Sequence, residues 1–195
     1  MPDAAGLELI LAEINRETPG AVLDTNYDRG QAALVIDPDH VLAVLAWLRD
    51  TPGQEYTFLS ALLAADYLPA HPRFAVHYEL LNRERYERIR VKALLADPAA
   101  AARSNGEVFQ SNGGPAGAAD LLPEIDSCVE LFPTADFQER EAFDFFGIVF
   151  RGHPDLRRIL MPEDYEGHPQ RRDFPIGGEP VIFTRDEVSN PGWWQ

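Results

Sequence analysis

Two Gly-His-Pro triplets supply the residue types best suited to chemistry in this sequence. They occupy residues 152–154 and 167–169, and an arginine pair and an aspartate follow each of them within a few residues. Neutral imidazole and carboxylate are common ligands of zinc and iron. One interpretation is therefore a metal-dependent hydrolase. Its ligands would come from His153, His168, Asp155, Asp164 and Asp173.

The spacing of these residues argues against a preformed catalytic site. Both histidines precede a proline, which favours an extended backbone, and neither lies four residues from another ligand on a helix. Cys128 lies in an apolar segment, where thiols are usually inert. The sequence contains no Gly-x-Ser-x-Gly turn, no Gly-x-Gly-x-x-Gly and no P-loop. A metal site would have to be assembled by tertiary contacts alone.

A structural interpretation of the same stretch is a short docked helix. His153 would cap it with Pro154 at its first position, and Leu156, Ile159 and Leu160 would share one face. Residues 151–172 carry five arginines and four acids, so they are net +1, whereas the rest of the chain is net −16. The arginines would either pair with Glu139, Glu141 and Asp144 of the same chain or contact a partner.

The residues after 173 favour the interpretation in which this region contacts a partner protein. Large apolar side chains alternate there with proline and glycine, in a segment too irregular to cover them. Each one left in water forgoes roughly 1.5–3 kcal/mol of burial, and such residues are enriched in interfaces. They are Phe174, Ile176, Val181, Ile182, Phe183, Trp193 and Trp194.

Composition restricts the classes of protein that the chain can belong to. Its 195 residues carry a net charge of −15, which repels nucleic acids and anionic membranes. One cysteine cannot form an internal disulfide, a Cys-rich zinc site or an iron–sulfur ligand set. An acidic N-terminus predicts no secretory signal, and no apolar run reaches the roughly 18 residues of a membrane span. We expect a soluble, cytoplasmic chain with one main core.

The first hundred residues predict most of the secondary structure. Leu7, Ile10, Leu11 and Ile14 have helical spacing, and a second helix starts after Asp37-Pro38. Strands are predicted for residues 21–26 and 31–36, with a turn between them, and for the start of the segment at residue 56. Alternation in residues 74–81, answered by residues 86–95, predicts a β-hairpin.

The second half predicts a loop, a strand, a helix and a tail. Residues 97–120 are rich in Ala, Gly, Ser and Asn, which indicates a flexible loop or insertion. We predict a strand at 127–132, then a helix with a capping box of Asp136 and Glu139, an Arg140–Asp144 pair and Gly147 at its end. The fold class is therefore α+β, in two layers: a small mixed or antiparallel sheet with helices on one face, followed by an extended C-terminal tail. We expect residues 1–150 to form the globular domain and residues 151–195 the motif region and partner-binding tail.

The residues from 139 onward resemble the signature of a known family. Their ordered string closely resembles one subunit of bacterial NADH-quinone oxidoreductase, from the thirty-kilodalton-subunit family of respiratory complex I. The resemblance is strongest over residues 127–180 and extends to residues 56–95; Gln170, where the family often has Leu, and the long loop before Ser127 depart from it. The matching residues are Glu139, Arg140, Glu141, Asp144, Phe146, Gly147, Ile148, Gly152, His153, Pro154, Asp155, Leu156, Arg157, Arg158, Gly167, His168, Pro169, Arg171, Arg172, Asp173, Phe174 and Pro175.

The resemblance implies a peripheral protein of a membrane complex, on the cytoplasmic side of the cell membrane. It implies no catalytic residue and no cofactor in this chain, with FMN, iron–sulfur clusters and quinone in partner subunits. The partners would be the hydrogenase-like large subunit, near the quinone site, and neighbouring iron–sulfur subunits. Related chains serve membrane-bound hydrogenases and a photosynthetic quinone reductase, so an equivalent role in such a complex is an alternative.

Overall fold

A five-stranded mixed sheet forms the centre of the molecule. The computed structural model describes residues 2–99 and 121–175. The strands are β1 (Val22–Asp28), β2 (Gln31–Ile36), β3 (Phe58–Asp66), β4 (Phe74–Asn82) and β5 (Glu87–Leu95). Their spatial order is β1-β2-β5-β4-β3, in which β2 and β5 are parallel and the other neighbours are antiparallel.

Two helices from the first fifty residues bury their apolar stripes on one face of this sheet. α1 (Ala4–Glu17) begins at Asp3, whose carboxylate accepts the Gly6 N–H at 2.7 Å. α2 (Val41–Asp50) follows a 3₁₀ turn at Pro38–His40 that Asp37 caps. Both helices and the core-facing strand residues form one continuous apolar core. The predicted helices, strands and hairpin of the first hundred residues are confirmed.

The chain then adds a small two-stranded parallel sheet and a third helix. These are β6 (Glu124–Asp126), α3 (Ala135–Phe146) and β7 (Val149–Arg151). α3 lies beside the edge strand β3, where the Gln138 side chain accepts the outward N–H of Leu62. Gly147 ends the helix with φ +67°, as predicted.

One predicted strand is wrong. The strand lies at Glu124–Asp126, three residues before the predicted one, and residues 127–132 form a turn. The reason is Glu139 of α3, whose carboxylate accepts the Cys128 N–H at 2.8 Å and the Ser127 hydroxyl at 2.6 Å. An acid on the helix therefore takes the Cys128 N–H, which a strand would have used in its ladder.

The α+β class, with helices on one face of a mixed sheet, is confirmed. Within residues 2–99 and 121–175, no helix is long and apolar enough to cross a membrane. Most of the predicted 97–120 loop, from residue 100, and the tail from residue 176 lie outside the described residues.

Candidate functional site

Asp144 is the buried anchor of the first half of the motif. Its side chain is fully buried on α3, and Oδ2 accepts the N–H groups of Ile159, Leu160 and Met161 at 3.1, 2.8 and 2.8 Å. Its Oδ1 lies 2.7 Å from Nη1 of Arg158. Burial by itself would raise the pKa of Asp144, but these donors lower the pKa below its usual value. Asp144 is thus an anion held by four donors.

This arrangement corrects two predictions. Asp144 pairs with Arg158 rather than with Arg140, whose Nε instead donates to the Arg157 carbonyl. Residues 154–160 do not form a helix, because the N–H groups of residues 159–161 point at one carboxylate instead of at preceding carbonyls. The arginines were expected to pair with acids of the same chain or to contact a partner, and Arg158 does the first of these.

Glu139 is a second buried acid on the same helix. It does not cap α3: the N-cap residue is Thr134, and Asp136 lies in the first turn. Its carboxylate instead holds the turn at Ser127 and Cys128, as described above. Burial raises the pKa of Glu139, despite these hydrogen bonds. The predicted capping box is wrong because the helix directs Glu139 into the core.

The two histidines bind different parts of α3 rather than each other. His153 Nε2 lies 3.1 Å from the Asp136 carbonyl oxygen. His168 Nδ1 lies 2.9 Å from the Asp144 carbonyl oxygen, and its ring meets Phe143 edge to face. Burial lowers the pKa of His168. In the described part of the chain, no three His, Cys, Asp or Glu side chains are grouped as a metal ion requires, so the proposed hydrolase ligands are not brought together there.

Arg73 is the anchor of the second half of the motif, and the sequence did not single it out. Its guanidinium is buried and bonds three carboxylates: Asp66 at 2.7 and 3.0 Å, Asp97 at 2.8 Å, and Asp173 at 2.6 and 2.9 Å. Burial opposes its charge, but the carboxylates raise the pKa of Arg73. Burial would likewise raise the pKa of Asp66, yet Arg73 and backbone donors hold that pKa at about 2.

The neighbouring arginines also bind this chain. Arg171 Nε donates to the Phe146 carbonyl at 2.6 Å, and its guanidinium lies 5.0 Å from the centre of the Phe74 ring, which Arg73 also contacts. Burial, followed by the charge of Arg73, lowers the pKa of Arg171. Arg172 donates its N–H to Asp66 and its Nη1 to the Leu68 carbonyl. Arg172 and Asp173 are thus fastened to the β3–β4 connection, and Arg171 is fastened to the end of α3.

Both Gly-His-Pro triplets are turns beside α3. Gly152 and Gly167 have φ of +81° and +85°, in the region that favours glycine. The Gly167 carbonyl accepts Arg158 Nη2 at 2.8 Å, so the second turn is tied to the Asp144 anchor. Phe174 is half-buried and stacks on Tyr165, with the ring centres 6.2 Å apart. Gly152, Pro154, Asp155, Gly167 and Pro175 are exposed and Pro169 is half-buried.

Four apolar or cationic side chains of α3 and of residues 157–160 lie at or near the surface. Phe137 is 63 % exposed and Leu160 is 58 % exposed. Arg140 of α3 donates its Nε to the Arg157 carbonyl, and its guanidinium lies 5.4 Å from the Phe137 ring centre. Arg157 faces solvent and pairs only with Asp155 among the described residues, at 2.9 Å. We call Phe137, Arg140, Arg157 and Leu160 the motif face.

The fold and the site define the class of protein: an α+β chain in which buried charged residues anchor an irregular segment. The family model for the respiratory-chain NADH dehydrogenase 30 Kd subunit matches residues 34–112 and 116–180. The chain belongs to this family.

Curated relatives agree with the family over most of the chain. A NADH-quinone oxidoreductase subunit of Roseiflexus castenholzii is 40 % identical over 90 % of this chain and 87 % of its own length. The subunit of the same name from Herpetosiphon aurantiacus is 41 % identical over 82 % of this chain and 80 % of its own length. These relatives are subunits of an oxidoreductase complex.

Solved structures share the fold. A trypsin-resistant fragment of Nqo5 matches with a TM-score of 0.53 and 25 % identity, covering 77 % of this chain and 98 % of the fragment. A chain of the membrane-bound sulfane sulfur reductase, an archaeal respiratory membrane complex, matches with a TM-score of 0.61 over 87 % of this chain and 85 % of its own length. At 20 % identity, this second match concerns the fold alone.

Proposed function

We propose that this chain is the thirty-kilodalton-family member of a proton-translocating NADH:quinone oxidoreductase and that it scaffolds the hydrogenase-like large subunit near the quinone site. In this role it carries no cofactor and no catalytic residue, and it lies on the cytoplasmic side of the membrane as a peripheral protein. FMN, iron–sulfur clusters and quinone belong to its partner subunits. Family membership and the names of the relatives support the complex.

The observation that carries the proposal is the motif face. Asp144, Arg158 and Arg171 use their polar groups on this chain, so they act as braces for residues 151–175. The outward side chains on these braces are apolar or cationic, a mixture enriched where protein interfaces have their strongest contacts. Because the braces already hold this segment in place, the surface loses less conformational entropy when it binds a partner.

The brace contacts narrow the set of arginines that can meet the hydrogenase-like large subunit. Arg158 and Arg171 donate to groups of their own chain, and Arg172 donates to Leu68. Arg157, whose side chain is 62 % exposed, remains available for a charge-assisted contact. The tail from residue 176 extends the interface in this proposal.

A single charge placed on the motif face tests the proposal. Leu160→Glu should leave the isolated chain folded, because the Leu160 side chain is mostly in water, and should abolish co-purification of the hydrogenase-like large subunit. Leu23→Glu is the matched control, since Leu23 is 59 % exposed on β1. Equal recovery of the large subunit with both variants would contradict the motif face as its binding site.

Removing residues 176–195 tests the tail separately. The shortened chain keeps Asp173 and Phe174, and thus every anchor described above. We expect it to fold and to recover much less of the hydrogenase-like large subunit. A fully assembled and active complex without these residues would refute the role of the tail. Electron transfer from NADH to quinone in the purified wild-type complex tests the donor and acceptor, because a hydrogenase-like complex would not oxidise NADH.

A further inference from the structure

α1 and α2 do not cover the other face of the five-stranded sheet, where Tyr67 lies against His77 and Lys92. Outward positions on β3, β4 and β5 alternate with the core positions, so their side chains point away from α1 and α2. Ala75 lies on this side and is outside the apolar core, although it is itself fully buried. Over residues 2–99 and 121–175, the side chains that α1 and α2 bury come from the opposite face.

Cations are concentrated on this face although the chain as a whole is acidic. Arg88, Arg90 and Lys92 form a row on β5, and Arg83 of the β4–β5 turn lies 4.1 Å from the ring centre of Phe58 on β3. Among the outward positions of β3, β4 and β5 the one acid is Glu79, which pairs with Arg90. We call Arg83, Arg88, Arg90 and Lys92 the cationic strip; the net charge of the whole chain is −15.

Arg83, Arg88 and Lys92 form no ion pair within the described residues, whereas Arg90 pairs with Glu79. Lys92 lies 4.5 Å from the Tyr67 ring centre, a contact that leaves its charge in place. His77 of β4 is paired in register with Lys92 of β5. Burial and the charges of Lys92 and Arg90 lower the pKa of His77 to about 4. Asp28 of β1 lines the same groove as Arg90, whereas Asp24 lies two strands away from β5, at roughly 10 Å for a strand spacing near 4.8 Å. That distance is about one Debye length at 0.1 M salt.

Apolar surface and a groove adjoin the strip. Leu63, opposite His77, is 53 % exposed, and Leu81 and Leu94 are half-covered on the same face. A groove of about 300 Å³ opens beside Arg90, and its other lining residues are Asn26, Asp28, Arg29, Gln31 and Ala33. A bound chain would therefore find cations, apolar contacts and amide groups together.

We propose that the cationic strip docks an acidic, partly apolar segment of another protein subunit. The strip from Arg88 to Lys92 extends roughly 13 Å at about 3.3 Å per residue, a length that a segment of about six residues covers. Long polyanions such as nucleic acid or an anionic membrane would extend over the acidic remainder of the surface and be repelled. A short acidic segment would contact only the cationic strip and not the acidic surface around it. This surface is separate from the motif face.

Site-specific photo-crosslinking in the assembled complex tests the proposal. A photoreactive residue replaces Arg88 in the full chain, and the same residue at Arg16, an exposed position on α1, is the control. We expect the adduct at position 88, and not the one at position 16, to map to a net-negative segment of another subunit. An adduct to lipid, to nucleic acid, to a segment without net negative charge or to residues 100–120 or 176–195 of this chain would overturn the proposal. So would the absence of any adduct.

Charge reversal provides the second measurement. Arg88→Glu should release the crosslinked subunit at lower salt and reduce its recovery at least threefold, whereas Arg16→Glu, with the same change in charge, should not. Equal recovery with both variants would overturn the proposal. Arg88→Gln should have a smaller effect in the same direction, and thermal unfolding of each isolated chain verifies its fold. Because Leu160→Glu tests the motif face, failure of the strip and failure of the proposed function give different patterns.

Discussion

Nη2 of Arg73 lies 2.6 Å from Oδ1 of Asp173, although one hundred residues separate them in the sequence. This contact joins the β3–β4 connection to the end of the motif segment. Asp97, where the chain leaves the sheet after β5, binds the same guanidinium at 2.8 Å. One buried arginine therefore fixes the points from which residues 100–120 and 176–195 depart.

Asp173→Asn should loosen the end of the motif segment. The amide keeps one acceptor but loses the charge that Arg73 contacts twice, and charged hydrogen bonds contribute about 1.5–3 kcal/mol. We expect a loss of about 1–3 kcal/mol in the free energy of unfolding, and faster hydrogen exchange over residues 171–174. Asp164→Asn is the control, because Asp164 is exposed. Equal exchange in the two variants would contradict the anchoring role.

Gly147→Ala should disturb both halves of the motif. A Cβ at residue 147 would lie 2.5 Å from the His168 ring and 2.8 Å from Arg171 Nη2, and the ring is held by its bond to the Asp144 carbonyl. Gly152→Ala shares the positive φ but meets no atom within 4 Å. In both variants the left-handed backbone costs roughly 1–2 kcal/mol. Gly147→Ala should therefore unfold at clearly lower denaturant concentration, and equal midpoints would refute the clash.

Glu139→Gln should destabilise the turn at residues 127–132. The carboxylate accepts two donors, whereas a Gln amide turns an NH₂ group toward one of them, and a buried mismatch costs about 1–3 kcal/mol. Glu141→Gln, on the exposed side of the same helix, should change the free energy of unfolding by less than about 0.5 kcal/mol. Chemical denaturation of both variants measures the difference, and similar losses would contradict the role assigned to Glu139.

His77 should make stability depend on pH. Its folded pKa, about 4, is below the ordinary value of about 6.5. The unfolded chain therefore binds more protons between these values, and the contribution of His77 to the free energy of unfolding falls as the pH drops from 6.5 to 4. Titration of the His77 ring by NMR gives the folded value directly. Lys92→Gln should raise the pKa of His77, and an unchanged pKa would refute the influence of Lys92. Arg29→Gln, at a site far more exposed than Lys92, should leave the pKa of His77 unchanged.

Local patterns were sufficient for the regular elements. The spacing of Leu7, Ile10 and Ile14 identifies the buried side of α1, and alternation in residues 74–82 identifies a strand with one core face. Gly147 ends α3 because a left-handed C-terminal residue needs glycine in any context. Each of these features depends on neighbours within a few residues, so the sequence alone determines it.

Long-range partners were decided by tertiary structure. Glu139 and Asp144 lie where a capping box and an i, i+4 pair are usual, yet their donors come from Cys128 and from residues 158–161, which only the packed fold brings to α3. In the sequence, Arg73 and the acid Asp66 stand at the two ends of the β3–β4 connection. This pattern indicates that these two residues could pair, but it does not reveal Asp97 or Asp173. A buried charge must be paired, but its choice of partner is made by the fold. The sequence determined the helices, the hairpin and the family motif, and the tertiary structure decided which charges brace the motif and which face outward.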